Sequence, residues 1–188
     1  MDNLSGTLVP KREDVVRLIH QDWVVNGILL RNAFMTAKGE TYLSVNRPAV
    51  KSYESDVLDF ISNHPQYLAK DSANEYYRGR MNVGEISIIE VSLNDQPLNV
   101  SVEVEPRNAH YQSHAGIFVR SGDSNIVSGR PLKSDHIPVG VSSDDILQEV
   151  QWALRDFALL ECCALEKTSD YLPPADRWQG LPEDDKDE

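Results

Sequence analysis

The feature that most constrains the fold is an apolar stripe with helical spacing near the C-terminal end of the chain. After the segment VSSDD, five apolar residues fall on one helical face: Ile146, Val150, Ala153, Leu154 and Phe157. Ser142 or Ser143 can cap this helix, and Asp144 and Asp145 suit the positive end of its dipole. An apolar face this broad has to be covered by another layer of structure. The sequence therefore predicts a long helix packed across the rest of the domain.

Several other segments have the pattern of β-strands, which would supply that layer. Residues 15–20 are apolar and β-branched and favour a strand over a short helix, and residues 41–48 alternate up to a proline. Residues 84–93 and 98–106 flank the turn-forming segment NDQP and predict a β-hairpin. Residues 114–120 give a further strand. A strand-rich chain ending in one long helix is typical of an α+β fold, so we expect a mostly antiparallel sheet.

The remaining segments set the expected boundaries. A second helix is predicted to begin at Ser52 and to end near 63–65, whereas the polar residues 70–82 and the Gly- and Ser-rich residues 121–142 resemble loops. We expect a flexible leader over 1–12, a single α+β domain over 13–172, and a disordered acidic tail over 173–188.

The charge of the chain limits its partners. The 188 residues carry a net charge of −12, which argues against non-specific binding to nucleic acid because phosphate neutralisation needs clustered Lys and Arg. Two segments of this acidic chain are basic. Residues 28–51 and 107–134 each hold four basic residues and one acidic residue, a net charge of +3. If they meet in the fold, they form a positive patch for a phosphate, a nucleotide or an acidic partner. The other interpretation is that they complement acidic surfaces of the same molecule.

The apolar runs and the cysteines of the chain bear on where in the cell the protein is located. No apolar run reaches the roughly 20 residues that cross a bilayer, and the N-terminal segment does not resemble a secretory signal. The two cysteines, Cys162 and Cys163, are adjacent and cannot form a disulfide scaffold. We therefore expect a cytoplasmic protein without membrane contact.

The two histidines of the segment HYQSHAGI do not predict a metal site. On a strand His110 and His114 would lie roughly 13 Å apart at a rise of ~3.3 Å per residue, too far for one ion. Neighbouring Pro106, Asn108 and Gly116 argue against a helix. We expect no metal and no cofactor, and we expect His114 rather than His110 to face a functional surface.

A pocket for proton transfer and anion binding can nevertheless be assembled from four residues. His20, Ser44, Arg47 and His114 are the candidate catalytic residues, with the arginine holding an anion and a histidine moving a proton. The residues expected to bind ligand are Arg17, Trp23, Arg78, Arg80 and Arg120. The alternatives stay open: His20 and Trp23 also suit a strand end and a core position, and Ser44 suits a hydrogen-bonding role better than a nucleophilic one.

Four short motifs, taken in order, resemble a family of small uncharacterised bacterial proteins. The family pattern is R-x-I-H-P-x-W, A-F, L-S-V-x-R and H-A-x-I, with no established activity. Its counterparts here are Arg17, Ile19, His20 and Trp23, then Ala33 and Phe34, then 43–47, then His114, Ala115 and Ile117. This chain has Gln21 where the family has proline, and the likeness covers residues 17–119. The resemblance implies positions for a site, not a reaction.

Two functions are consistent with the sequence. The first is a subunit or binding module of a bacterial complex, with a His/Arg/Ser pocket for a small anionic ligand and with Trp178 as an anchor for a protein partner. The second is a metal-independent enzyme acting on a nucleotide or another phosphorylated substrate, with ADP-ribosyl-transferase-like or phosphodiester chemistry. No nucleotide-binding glycine loop of known spacing is present.

Overall fold

A computed structural model describes residues 7–107, 111–132 and 137–165. The helices of this part are α1 Tyr53–Asn63, α2 Val83–Ile86 and α3 Ser143–Phe157, with 3₁₀ turns at Gln21–Trp23, Arg31–Phe34 and Pro65–Tyr67. The strands are β1 Asp14–Ile19, β2 Val24–Val25, β3 Ile28–Leu29, β4 Leu43–Asn46, β5 Glu75–Asn82, β6 Ser92–Leu93, β7 Gln96–Pro97, β8 Ser101–Pro106, β9 His114–Ser121, β10 Ser124–Asn125 and β11 Leu159–Ala164.

The centre of the fold is a seven-stranded antiparallel sheet with the order β10-β9-β4-β1-β5-β11, in which β8 also pairs with β9. Helix α3 lies on one face of this sheet, where Ile146, Val150 and Leu154 enter the main apolar core. Helix α1 lies on the other face, where Val57 and Ile61 form a second buried cluster with strand residues. The predicted α+β fold with a long helix packed on a mostly antiparallel sheet is confirmed.

Helix α3 begins as its sequence indicates. The Ser142 hydroxyl accepts a hydrogen bond from the Asp145 amide, and the Asp145 carboxylate accepts one from the Ser142 amide, which makes a reciprocal capping box. Leu147 adds to the buried face, whereas Phe157 at the last turn is 38 % exposed. The predicted stripe is therefore correct along most of the helix and ends before Phe157.

Residues 70–82, predicted to be a loop, contain β5, which lies between β1 and β11. The segment looks polar because Arg78 and Arg80 lie on one face of the strand. Both guanidinium groups donate to Glu161 of β11, with N–O distances of 2.6 and 2.8 Å for the shortest bonds. A strand can carry two partly buried arginines in a sheet when a neighbouring strand supplies the counter-charge.

The predicted hairpin of residues 84–93 and 98–106 is wrong. The Asn82 side chain accepts a hydrogen bond from the Gly84 amide and starts the short helix α2, so residues 83–86 are not a strand. The NDQP segment does form a turn, but it joins the two-residue strands β6 and β7. Strand β8, predicted to be the second strand of the hairpin, pairs with β9 instead.

The packed region also begins before residue 13. Val9 is buried, and its amide donates to the Val104 carbonyl on the outer edge of β8 at 2.8 Å. The rest of the predicted leader, residues 1–6, and the predicted tail, residues 173–188, lie outside the described residues.

We predict that Glu161→Gln lowers the free energy of unfolding by about 2 kcal/mol, because it removes charged hydrogen bonds to two partly buried guanidinium groups. Hydrogen bonds from Arg80 and Arg78 hold the pKa of Glu161 below its ordinary value. The carboxylate therefore stabilises the fold fully above that ordinary pKa, and its contribution disappears as the pH falls through the lowered value.

Urea unfolding at neutral and acidic pH measures both effects. The matched control is Glu54→Gln, because Glu54 approaches Arg78 only at 4.0 Å with an exposed side chain. Equal losses for the two variants, or an unchanged acid dependence in Glu161→Gln, would contradict the role given to Glu161.

Candidate functional site

The guanidinium of Arg17 bridges β1 and β4. These strands pair directly only through Val16 and Asn46. Next to that pair, Nη1 of Arg17 donates to the Ser44 carbonyl at 2.7 Å, and Nε donates to the Ala33 carbonyl at 3.1 Å. One side chain therefore fixes three segments that the sequence motifs had singled out separately.

Arg17 carries a charge that has no carboxylate partner among the described residues. Burial lowers the pKa of Arg17, and Tyr67 and Glu40 oppose that shift from nearby positions. Glu40 itself accepts a hydrogen bond from the Ala37 amide instead of binding the guanidinium. The Nη2 atom of Arg17 makes no hydrogen bond within the described part of the chain and is not sealed from solvent. A partly buried cation with a free donor and no counter-ion favours the approach of an anion.

Ser44 connects Arg17 to His114. Strands β4 and β9 run side by side with Ser44 opposite Gly116, so the side chains of Ser44 and His114 share one face of the sheet. The distance from Ser44 Oγ to His114 Nε2 is 2.7 Å. The predicted convergence of Ser44 and His114 is therefore seen in the structure, although the two residues are 70 positions apart in the chain.

Tyr42 and Arg107 extend this surface beyond His114. The Tyr42 ring centroid lies 6.0 Å from that of His114, and the Arg107 guanidinium lies 5.0 Å from the Tyr42 centroid and 5.3 Å from that of Phe118. Arg107 is exposed and forms no ion pair with any described residue. Sequence reasoning missed both residues as site candidates. The signal that could have found them is Gly116, since a glycine inside a strand often marks a close approach by another group.

The other arginines proposed from the sequence have carboxylate partners. Arg47 donates two-pronged hydrogen bonds to Glu13 at 2.9 to 3.1 Å, and Arg120 binds both Glu103 and Glu105. Arg78 and Arg80 are bound to Glu161 as described above. Their charges are balanced by carboxylates inside the fold, and Arg120 also lies 5.0 Å from the centroid of Phe118, the ring that Arg107 contacts. The ligand-binding or catalytic roles assigned to these four arginines from the sequence stay predictions.

His20 and Trp23 lie in a separate aromatic cluster. The His20 ring centroid is 5.5 Å from the centroid of Trp23 and 5.6 Å from that of Tyr67, and its Nδ1 accepts a hydrogen bond from the Asp22 amide at 3.2 Å. None of these contacts of His20 is with Ser44 or Arg47. Tyr67, which contacts the His20 ring, is also close enough to Arg17 to raise its pKa.

The two basic segments meet, as one interpretation expected, because β4 belongs to the first and β9 to the second. Their charges are only partly available, since Arg47 and Arg120 are neutralised locally. No group of three or more His, Cys, Asp or Glu side chains suited to a metal ion occurs in 7–107, 111–132 or 137–165. His110 and Trp178 fall outside those ranges.

Within the same ranges, none of the helices has the length and apolar character required to cross a membrane. No model of a protein family, no curated protein and no solved structure matches the chain. The resemblance to a bacterial family therefore stays a prediction.

We predict that Gly116→Ala displaces the Tyr42 ring. A Cβ at this position would lie 2.5 Å from Cδ2 and 2.8 Å from Cγ of Tyr42, so the ring has to move away from β9. We expect a loss of about 1–3 kcal/mol in unfolding free energy, as is usual for overpacking. A double-mutant cycle with Tyr42→Ala checks the cause, because the cost of the added methyl should then largely disappear. An undiminished cost in the Tyr42→Ala background would show that Tyr42 is not the obstructing group.

Proposed function

We propose that the protein is a binding module for a small anionic ligand, most simply one that carries a phosphate group. The observation that carries this proposal is the unbalanced guanidinium of Arg17, which is partly buried, hydrogen-bonded to two carbonyls and unpaired with any carboxylate among the described residues. Arginine is well suited to such a role, since its planar fork matches the oxygens of phosphate and carboxylate.

Arg107, beside Tyr42 and His114, is a second unbalanced cation, on the other face of the sheet from the Arg17 side chain. The Arg17 side chain leaves β1 on the α3 face, as those of Val15 and Ile19 do, and reaches the Ser44 carbonyl. The Ser44 hydroxyl and the His114 ring point to the opposite face and bind each other. Arg107 has no carboxylate partner among the described residues. On a chain whose net charge is −12, the unbalanced guanidinium of Arg17 and, on the other face of the sheet, that of Arg107 are the places that would attract negative charge.

Ligand-induced stabilisation tests the proposal, with inorganic phosphate, pyrophosphate and a set of nucleoside phosphates as the probes. We expect at least one phosphorylated compound to raise the melting temperature in a saturable way, because a ligand that binds only the folded state stabilises it. Arg17→Lys should weaken the binding of that compound by about tenfold or more, since lysine keeps the charge but loses the fork.

Arg120→Lys is the matched control for this experiment. It makes the same chemical change at an arginine whose charge is already balanced by Glu103 and Glu105, so the ligand affinity should stay that of the wild type. A wild-type protein that none of the probes stabilises, or equal weakening by both lysine variants, would rule out Arg17 as the anion site.

A second candidate function is a metal-independent enzyme acting on a phosphorylated substrate such as a nucleotide. The observation that favours it is the 2.7 Å hydrogen bond between Ser44 Oγ and His114 Nε2, which is within the reach needed for a hydroxyl nucleophile and its base. The ADP-ribosyl-transferase-like or phosphodiester chemistry considered from the sequence belongs to this candidate. His20 and Arg47 are not needed in it.

On the enzyme proposal, Ser44→Ala and His114→Gln each reduce turnover of a phosphorylated probe by about 100-fold or more. Both variants should keep most of the melting-temperature increase that the probe produces, because the arginines that attract its phosphate are unchanged. Product release followed by chromatography measures turnover, and thermal unfolding measures binding in the same samples. Saturable binding without turnover by the wild type would leave the binding module as the function.

Two further expectations accompany these proposals. We propose a cytoplasmic location because adjacent cysteines suit a reducing compartment. We also propose a role as a subunit of a protein complex, which is supported by the acidic tail with Trp178.

A further inference from the structure

Strand β11 forms one edge of the sheet, and its outer side is unpaired within the described part of the chain. It pairs with β5 over six consecutive residues without a bulge. The strand contains no proline and no lysine, which are two of the usual devices that keep sheet edges from pairing. The opposite edge is different, because Val9 already binds Val104 there.

The register of β11 shows which backbone groups are available. The Leu165 amide donates to the Asn74 carbonyl on the β5 side. Backbone groups of residues two apart point to the same side of a strand, so Cys163, Glu161 and Leu159 also direct theirs toward β5. Leu160, Cys162 and Ala164 therefore direct their amides and carbonyls away from the sheet, where an added strand would meet them.

We propose that β11 pairs with β11 of a second copy of this chain, antiparallel and centred on Cys162. A two-fold axis perpendicular to the sheet then joins the two sheets into one continuous sheet across the dimer. In this register Cys162 lies opposite Cys162 of the other copy, and Leu160 lies opposite Ala164. Both are pairs of outward-pointing residues, and each pair exchanges two backbone hydrogen bonds.

The side chains favour this register over its neighbours. Leu159, which is 63 % exposed, would lie opposite Leu165 of the second copy, so an apolar residue is covered by an apolar one. Glu161 would lie opposite Cys163. Shifting one copy by two residues in one direction puts Glu161 opposite Glu161, and shifting it in the other puts Glu161 opposite Leu165.

The charge of the edge also suits a second copy. Glu161 is the one ionisable acid or base within the strand apart from its cysteines, and it is bound to Arg78 and Arg80 of its own chain. Two such edges can approach without placing unbalanced like charges side by side. By contrast, the segment 173–188 contains Pro173, Pro174 and Pro182 and carries a charge of −4, which makes it a poor strand to pair here.

Light scattering coupled to gel filtration, together with cysteine cross-linking, tests the proposal on the full chain. We expect the mass to move from 21.2 kDa toward twice that value as the protein concentration rises. Cys162→Lys should shift the equilibrium back to the monomer, because it places two like charges directly opposite each other. In the monomer the introduced side chain would be exposed beside Glu75, so the fold is kept. Ser101→Lys on β8 is the matched control and should dimerise like the wild type.

Cross-linking identifies the register. On copper-catalysed oxidation the Cys163→Ser protein should form a disulfide-linked dimer through Cys162, since facing residues of paired strands lie within the Cα separation of about 4.4–6.8 Å that a disulfide spans. The Cys162→Ser protein should stay monomeric on a denaturing gel. A wild-type chain that is monomeric at every concentration, with the edge covered by residues 166–188 or open, would overturn the proposal. A dimer that forms equally well in Cys162→Lys would do the same.

Discussion

One partly buried guanidinium connects segments that are remote in the sequence. Arg17 donates to the carbonyls of Ala33 and Ser44, and the Ser44 hydroxyl, which points to the opposite face of the sheet, binds His114 on the neighbouring strand. The direct pairing of β1 with β4 is limited to Val16 and Asn46. The sheet at this point is therefore held by a side chain as well as by its backbone, and the same side chain supplies the positive charge of the candidate site. The residue proposed to bind the anion is thus also one that holds the sheet together.

Among the described residues, the placement of carboxylates beside most arginines leaves few positive charges available to an anion. Most arginines that looked available in the sequence are bound by glutamates, as Arg47 is by Glu13 and Arg120 by Glu103. Ion pairs of this kind hold strands in register but leave little charge for a ligand. Arg17 and Arg107 differ because their guanidinium groups contact carbonyls or aromatic rings instead. Position within the fold, not the number of arginines, decides where an anion is attracted.

Sequence reasoning succeeded where a pattern is local and failed where the partner is distant. The apolar stripe of α3 and its cap depend on neighbours within a few residues, and both are present as predicted. Strand β5 was missed because its arginines are compatible with a sheet only through Glu161, which is 83 residues from Arg78. The hairpin after residue 84 failed for the opposite reason, since the local hydrogen bond of Asn82 started a helix that outweighed the β pattern. Within the candidate site, the convergence of Ser44 and His114 was predicted, whereas Arg107 was missed because it contacts a distant ring whose one trace in the sequence is Gly116.

The single hydrogen bond between Val9 and Val104 has a consequence for assembly. A sheet with two open edges can add copies at both ends and grow into a fibre. Here Val9 occupies the outer side of β8 at Val104, so the proposed pairing through β11 would use the other edge and growth would stop at a closed pair. An N-terminal truncation that removed Val9 would expose the shielded edge and turn a self-limiting assembly into an open-ended one.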